Sequence, residues 1–298
     1  RWHPAITSQT FKAVSFMTGQ TIYTNDDEQL RMYSSSAGLS FEPWVTHYTP
    51  STGTVRDPRL LYNSADGYYY LAHTNCGFGS GTTTTIARTT DFTNWTHITN
   101  VDWSDAQASV NRAWGPQGFV DGGNVYLICA ISSDGGTTLK HYYKQATTGL
   151  STWGSSSSIG GATLNSYDGF IIKKGSTYYF WYTKNDASYA NRYVEVYSSS
   201  SPFSGYSSLH TGNWASWGTA YEGGSLREVT TGTWRFYMYG FSNPPLGMYY
   251  SESTDDWATW SAPTLITKPY WISNSGMIEE TGNVATNAAI PVFMAQYR

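Results

Sequence analysis

Five polar residues recur at nearly one interval along the 298-residue chain: Asp57, Gln117, Asp168, Glu222 and Ser275, spaced by 60, 51, 54 and 53. Three of them carry carboxyl groups, in a chain with only 21 Asp and Glu. Residues at a fixed interval stand at the same point of a repeating unit, and units arranged around an axis bring them to one place. Carboxyl groups held together raise one another's pKa, and an apolar rim opposes their ionisation. One can then stay protonated near neutral pH as a general acid while another stays ionised as a general base. Glycoside hydrolysis needs that pair across its scissile bond. Trp114, Tyr167, Trp181, Tyr221 and Trp271 flank the same segments and offer flat faces on which sugar rings stack, with Gln117 as a polar ligand among them. Taken singly, each acid has a plainer reading as a turn residue or an acceptor for backbone N–H groups, and Asp57 before Pro58 could simply open a turn. The shared interval favours a functional cluster.

The elements that must position these residues form an internal repeat. "RMYSSSAGLSFEPW", "TIARTTDFTNW", "HYYKQATTGLSTW", "VEVYSSSSPFSGY" and "GMYYSESTDDWATW" each read as a strand, a hydroxyl-rich turn and an aromatic residue. With Met32, Ile86, Tyr142, Val196 and Met248 as equivalent points, the intervals are 54, 56, 54 and 52. An apolar strand precedes each copy, as in "GYYYLAHT" and "STYYFWYT". A further strand precedes that one: "RDPRLLY", "GPQGFV", "YDGFII" and "EGGSLRE", with "NSGMIEE" near the chain's end. Four strands per unit of about 54 residues describe a propeller blade. The sequence therefore predicts an all-β, five-bladed β-propeller spanning residues 1–298 as one domain. Its terminal blade is closed by N- and C-terminal strands, which removes an exposed sheet edge. The first strand of every blade lines the central channel, so the acids converge on its mouth. A β-sandwich also suits a Tyr- and Thr-rich chain but needs no such period.

Composition agrees and sets limits. Aromatic residues make up 17% and charged residues 13%, a balance that favours strands and turns. The net charge of −4 and the lack of any Lys/Arg run argue against nucleic acid or an anionic membrane as partner. No apolar run reaches the ~18 residues of a bilayer span. An N-terminal Arg1 and few lysines fit a secreted, extracellular chain after removal of a signal peptide. Cys76 and Cys129 are the two cysteines, and sequence does not settle whether they pair. Asn94-Trp95-Thr96 is a glycosylation sequon. The histidines lack metal-ligand spacing, and His73 reads as structural.

"VRDPRLLY", "WGPQGF", "SYDGFII" and "YEGGSL", in that order, resemble glycoside hydrolase family 43, the five-bladed arabinanases, arabinofuranosidases and xylosidases. "TGNWASWGTAYEGGSLREVTTGTWRFYMYG" and "YYSESTDDWATWSAP" resemble the arabinofuranosidase-like branch of that family. The resemblance covers about residues 20–280. It implies an inverting mechanism with Asp57 as the base that activates water, Asp168 as the group that tunes and orients the acid, and Glu222 as the acid. It implies no required cofactor. It admits a calcium ion at the propeller axis, and Ser275, standing where a histidine is expected, weakens that implication. Gln117 likewise stands where relatives carry an acid.

The expectation is an inverting glycosidase, acting as a monomer on a plant-type polysaccharide or oligosaccharide and releasing L-arabinofuranosyl units. Xylosidic or galactan-type linkages are the nearest alternative, and a carbohydrate-binding propeller without catalysis is the alternative of another class. Turns such as "RTTDFTNW" resemble those of sialidases, but Arg56, Arg112 and Arg227 do not share the interval of the acids. Those turns read as structural.

Overall fold

The computed structural model describes residues 11–15, 17–18, 30–44, 48–50, 54–63, 66–76, 80–161, 165–185, 191–240, 247–266, 279–280 and 283–284. The first strands are β1 (Phe11–Ser15), β2 (Met17–Thr18), β3 (Arg31–Ser35) and β4 (Glu42–Trp44). Blade I comprises β5 (Arg56–Asn63), β6 (Tyr68–Thr74), β7 (Thr83–Thr89) and β8 (Thr96–Asp102). Blade II comprises β9 (Arg112–Asp121), β10 (Asn124–Ser132) and β11 (Lys140–Thr148), with the short β12 (Thr152–Trp153) and β13 (Ser157–Ser158) both on β11. Blade III is β14 (Ser166–Lys174), β15 (Thr177–Asn185), β16 (Arg192–Ser199) and β17 (Ser207–His210). Blade IV is β18 (Tyr221–Thr230), β19 (Thr233–Gly240), β20 (Gly247–Ser253) and β21 (Thr264–Leu265). The last strands are β22 (Glu279–Glu280), which pairs with β2, and β23 (Asn283–Val284).

Four blades are thus complete and built of consecutive antiparallel strands, rather than the five that the repeat predicts. A further four-stranded sheet has the order β23-β1-β3-β4 and joins the two ends of the chain. The inner strands touch in the order β5, β9, β14, β18, β23, and β23 touches β5.

Each blade follows from its residue pattern. The middle strands are packed on both faces by neighbouring blades, so they read as nearly continuous apolar runs: β10 is NVYLICAIS and β15 is TYYFWYTKN. The outer strands meet solvent and are short or polar, as in β17 (SSLH), which suits a sheet edge. Inner and second strands are joined by tight hairpins in which Gly67, Gly122, Gly175 and Gly232 take positive φ. After the third strand, Thr89 and Asp91 in blade I and Ser253 and Asp255 in blade IV bond the turn backbone. These turns are structural, as the sequence suggests. The apolar core lies between blades; one cluster gathers Trp181, Phe236, Trp217, Phe170 and Trp257 between blades III and IV.

Candidate active site

The three acids lie at the starts of three inner strands, and the local backbone explains how. Each complete blade breaks its inner-strand register at the same point: between Arg56 and Arg59, Trp114 and Gln117, Tyr167 and Phe170, and Glu222 and Ser225. Two residues are looped out in every case, a β-bulge that re-aims side chains at the end of a strand. The first looped-out residue is left-handed throughout: Asp57 at φ 47°, Gly115 at 59°, Asp168 at 53° and Gly223 at 66°. Glycine adopts this region freely. An L-residue gives up roughly 1–2 kcal/mol there, less for Asp because its side chain can bond locally. Two aspartates kept in that conformation are the kind of strain that accumulates at functional sites.

This register corrects the one counted along the sequence. The structural equivalents of Asp57 and Asp168 are Gly115 and Gly223, whereas Gln117 is equivalent to Arg59. Glu222 precedes its bulge and is equivalent to Tyr167, Trp114 and Arg56. Counting along the chain could not separate these positions, because a one-residue offset is smaller than the variation between loops.

The carboxyl groups are supported individually. Thr74 Oγ1, on β6, donates to Asp57 Oδ2 at 2.9 Å and accepts from the Gly115 N–H at 3.1 Å. Asp168 is 7% exposed, and a Cβ on Gly115 would lie 2.7 Å from its Oδ1, so only glycine leaves the carboxyl its seat. The Tyr167 hydroxyl donates to Glu222 Oε2 at 2.8 Å, and Arg192 Nε lies 3.4 Å from the same oxygen. The two glycines after Glu222 divide the work. Gly223 makes the left-handed turn, and Gly224 makes room for a core ring, since its Cβ would lie 2.0 Å from Phe236 Cζ.

The charges are coupled. Burial pushes the Asp168 carboxyl up to about 8, with the negative charges of Asp57 and Glu222 adding to the rise and Arg59 and Arg192 opposing it. The neutral form of Asp168 is therefore favoured. Burial also drives the Tyr167 phenol well above its ordinary range, and Glu222 adds to that. His73 is buried, donates Nδ1–H to the Thr74 carbonyl at 2.9 Å and takes a bond from Tyr48 at Nε2, 2.7 Å away. Burial lowers it to about 4, so it is a neutral prop for the strand that holds Asp57.

The sign of the Asp168 shift makes a prediction. Its folded value lies above the ordinary 3.8, so the stabilisation of its neutral form is complete below that value and is lost as pH rises towards about 8. Chemical unfolding across this range should show the parent losing ground to Asp168→Asn as pH rises, on the order of 1 kcal/mol per pH unit. A pH-independent difference would show that Asp168 is not held neutral.

The remaining residues named from sequence fall into two groups. Trp114 is half-buried beside Arg112, whose guanidinium carbon lies 5.9 Å from its ring centre, at the strand position equivalent to Glu222. Trp181 and Tyr221 do not face a ligand. Trp181 is fully buried, stacked 5.3 Å from Phe236, and Tyr221 is buried edge-on to Tyr249 at 5.3 Å. Gln117 is buried too, with Nε2 donating to the Gly118 carbonyl. Trp181 and Tyr221 are packing residues, because the faces of a blade away from the mouth meet the next blade, and Gln117 stands at the inner-strand position equivalent to Arg59. Trp181→Ala should accordingly lower unfolding free energy by about 3–5 kcal/mol in a denaturant titration, leaving KM nearly unchanged. Trp271 and Ser275 lie outside the described residues. Cys76 and Cys129 are free thiols.

The sequence did not single out Thr74, Gly115, Arg59 or Arg192. Arg59 had a usable signal, a charge inside the apolar run "RDPRLLY". Arg192 had none. Among the described residues no three His, Cys, Asp or Glu side chains are grouped to hold a metal ion.

No protein-family model matches the sequence, and no curated protein matches it. Solved structures do share its fold. An endo-1,4-β-xylanase from Bacteroides thetaiotaomicron superposes with a TM-score of 0.60 at 15% identity, over 92% of this chain and 91% of its own. An exo-1,5-α-L-arabinanase from a bovine ruminal metagenomic library gives 0.60 at 16%, over 86% and 94%. The α-L-arabinanase of Cellvibrio cellulosa, complexed with arabinohexaose, gives 0.59 at 14%, over 85% and 95%. The chain described here thus has an all-β propeller fold shared with these three proteins.

Proposed function

We propose that this protein is an inverting glycoside hydrolase that releases L-arabinofuranosyl units from plant-type polysaccharide. One observation carries the reading: three carboxyl groups from three blades meet at one mouth, two of them on matching strained bulges. The names of the proteins that share the fold, arabinanases and a xylanase, support the substrate class. In this reading the sheet β23-β1-β3-β4 is a fifth blade, since its inner strand touches both β18 and β5. The chain is then one secreted, five-bladed domain.

Asp57, partly exposed and oriented by Thr74, acts as the general base on water. Glu222, held by Tyr167 and Arg192, protonates the leaving oxygen. Asp168, driven towards its neutral form by burial and by the charges of Asp57 and Glu222, tunes and orients the acid. Trp114 supplies an apolar face for a sugar ring. A second reading exchanges two roles: burial and the charges of Asp57 and Glu222 push Asp168 towards its protonated form, so it is the other candidate for the donor. A sugar-binding propeller without catalysis loses one of its supports, because Gln117 is buried.

A panel of aryl glycosides and plant polysaccharides, with the anomer of the first product read by NMR, tests the proposal. Release of arabinose with inverted configuration is expected. Release of xylose alone would correct the sugar, and binding of oligosaccharide without turnover on any substrate would leave the sugar-binding reading.

A further inference from the structure

We infer that Arg59 is the resident cation of the propeller axis, and that its guanidinium takes the place that a bound calcium ion would hold beneath the acids. Arg59 lies on β5 and is 1% exposed. Its Nη1 donates to the Gly224 carbonyl on β18 at 3.2 Å, and its Nη2 lies 4.0 Å from Asp168 Oδ1 on β14. The neighbours of β5 in the ring of inner strands are β9 and β23. A side chain that starts on β5 and meets both β14 and β18 has therefore crossed the middle of the ring. One planar group with five N–H donors ties three inner strands together directly under the mouth.

The residues present do not fit calcium. That ion takes six to eight oxygen ligands at about 2.3–2.6 Å. Here the Gly224 carbonyl already accepts from a cation, and among the described residues no three His, Cys, Asp or Glu side chains are grouped to hold an ion. A divalent ion beside the guanidinium would also meet a like charge in a low-dielectric site. Burial lowers Arg59 only to about 9, with Asp168 and then Asp57 opposing the fall, so it keeps its charge at neutral pH.

Two consequences follow for a positioning residue of this kind. The fold and the acid cluster need no added metal, and loss of the guanidinium leaves three acids with Arg192 as the nearby positive charge on the cluster. The groups that face Arg59 or its partner Asp168 are Asp57 on β5, Tyr167 on β14, Arg192 on β16 and Glu222 on β18. Removing the positive charge should drive Asp168 further towards neutrality, so that the fall in stability continues to higher pH.

The test uses the whole chain and needs no substrate for its main arms, so its failure is distinct from failure of the hydrolase reading, on which only its activity arm rests. Metal content is measured by inductively coupled plasma mass spectrometry, and Tm is followed with chelator and with millimolar calcium. Metal below one equivalent and an unchanged Tm in both are expected. Arg59→Ala should lower Tm on the order of 5 °C, because it leaves the buried Gly224 carbonyl without its donor. Millimolar guanidinium should recover part of that Tm, and part of any activity, in Arg59→Ala but not in the parent. If Arg59→Ala does not fold, Arg59→Lys against Arg59→Gln makes the same comparison, with the charged variant the more stable. A stoichiometric metal whose removal lowers Tm would overturn the inference. So would an Arg59→Ala protein as stable as the parent, or an Arg59→Gln protein no less stable than Arg59→Lys.

Discussion

Glu222→Gln is expected to lower kcat/KM by about 10²–10⁴-fold on polysaccharide or an alkyl glycoside, the contribution of a positioned general acid. The loss should shrink sharply on aryl glycosides whose phenol leaves without protonation, because the missing proton is then not needed. The alkaline limb of the pH–rate profile, which reports loss of the donor's proton, should vanish with it. Both signatures are specific to the acid; a variant that is merely misfolded loses activity equally on every leaving group. The same measurement on Asp168→Asn separates the two assignments. A leaving-group-dependent loss at Asp168 with a uniform loss at Glu222 would move the donor role to Asp168, whose raised pKa makes it the competitor. Tyr167→Phe should give a smaller loss with the profile displaced, since it removes the bond to Glu222 Oε2 but leaves Arg192 in place.

The period of the fold was legible because blades repeat their hairpins. Polar turns and apolar middle strands recur every 52 to 56 residues, and each sets one blade. The convergence of Asp57, Asp168 and Glu222 was legible for the same reason. The register within the mouth was not, because bulges add residues without altering composition. Gly115 and Gly223 occupy the positions equivalent to Asp57 and Asp168, and nothing in "WGPQGF" or "YEGGSL" says which residue is looped out. Aromatic residues misled for a related reason. Trp181 and Trp114 are alike in sequence, yet one lies mid-strand where blades touch and the other at a strand's start beside a bulge. Only the packing of one blade on the next distinguishes them. Arg59 and Arg192 act on residues far from them in the chain, Gly224 and Asp168 for one and Glu222 for the other, and such pairings leave no local trace.

Asp57→Asn should be the most damaging single change, again about 10²–10⁴-fold in kcat for the loss of a general base, but with an opposite dependence on substrate. Water still has to be deprotonated however good the leaving group is, so activated aryl glycosides should not recover the rate. Azide needs no deprotonation and should recover it, giving a glycosyl azide of inverted configuration. That product would place attack on the side of Asp57, and the anomer released by the parent then tells a base, which gives inversion, from a nucleophile, which gives retention. An inverting pair stands ~6.5–9.5 Å apart, which leaves room for the water, whereas a retaining pair stands at ~5–5.5 Å. Recovery with retained configuration would instead require a glycosyl-enzyme formed on another carboxylate, make Asp57 the acid/base of a retaining enzyme and reverse the stereochemical proposal. Thr74→Val offers the graded version. It deletes the bond to Asp57 Oδ2 and the acceptor for Gly115 N–H together, so the base loses its orientation while keeping its charge. A fall in kcat with little change in KM is expected, because the bond positions a group for the transition state rather than gripping the ground-state sugar. An equal rise in KM would place Thr74 in sugar binding and weaken the case that its bonded neighbour Asp57 is held ready for water.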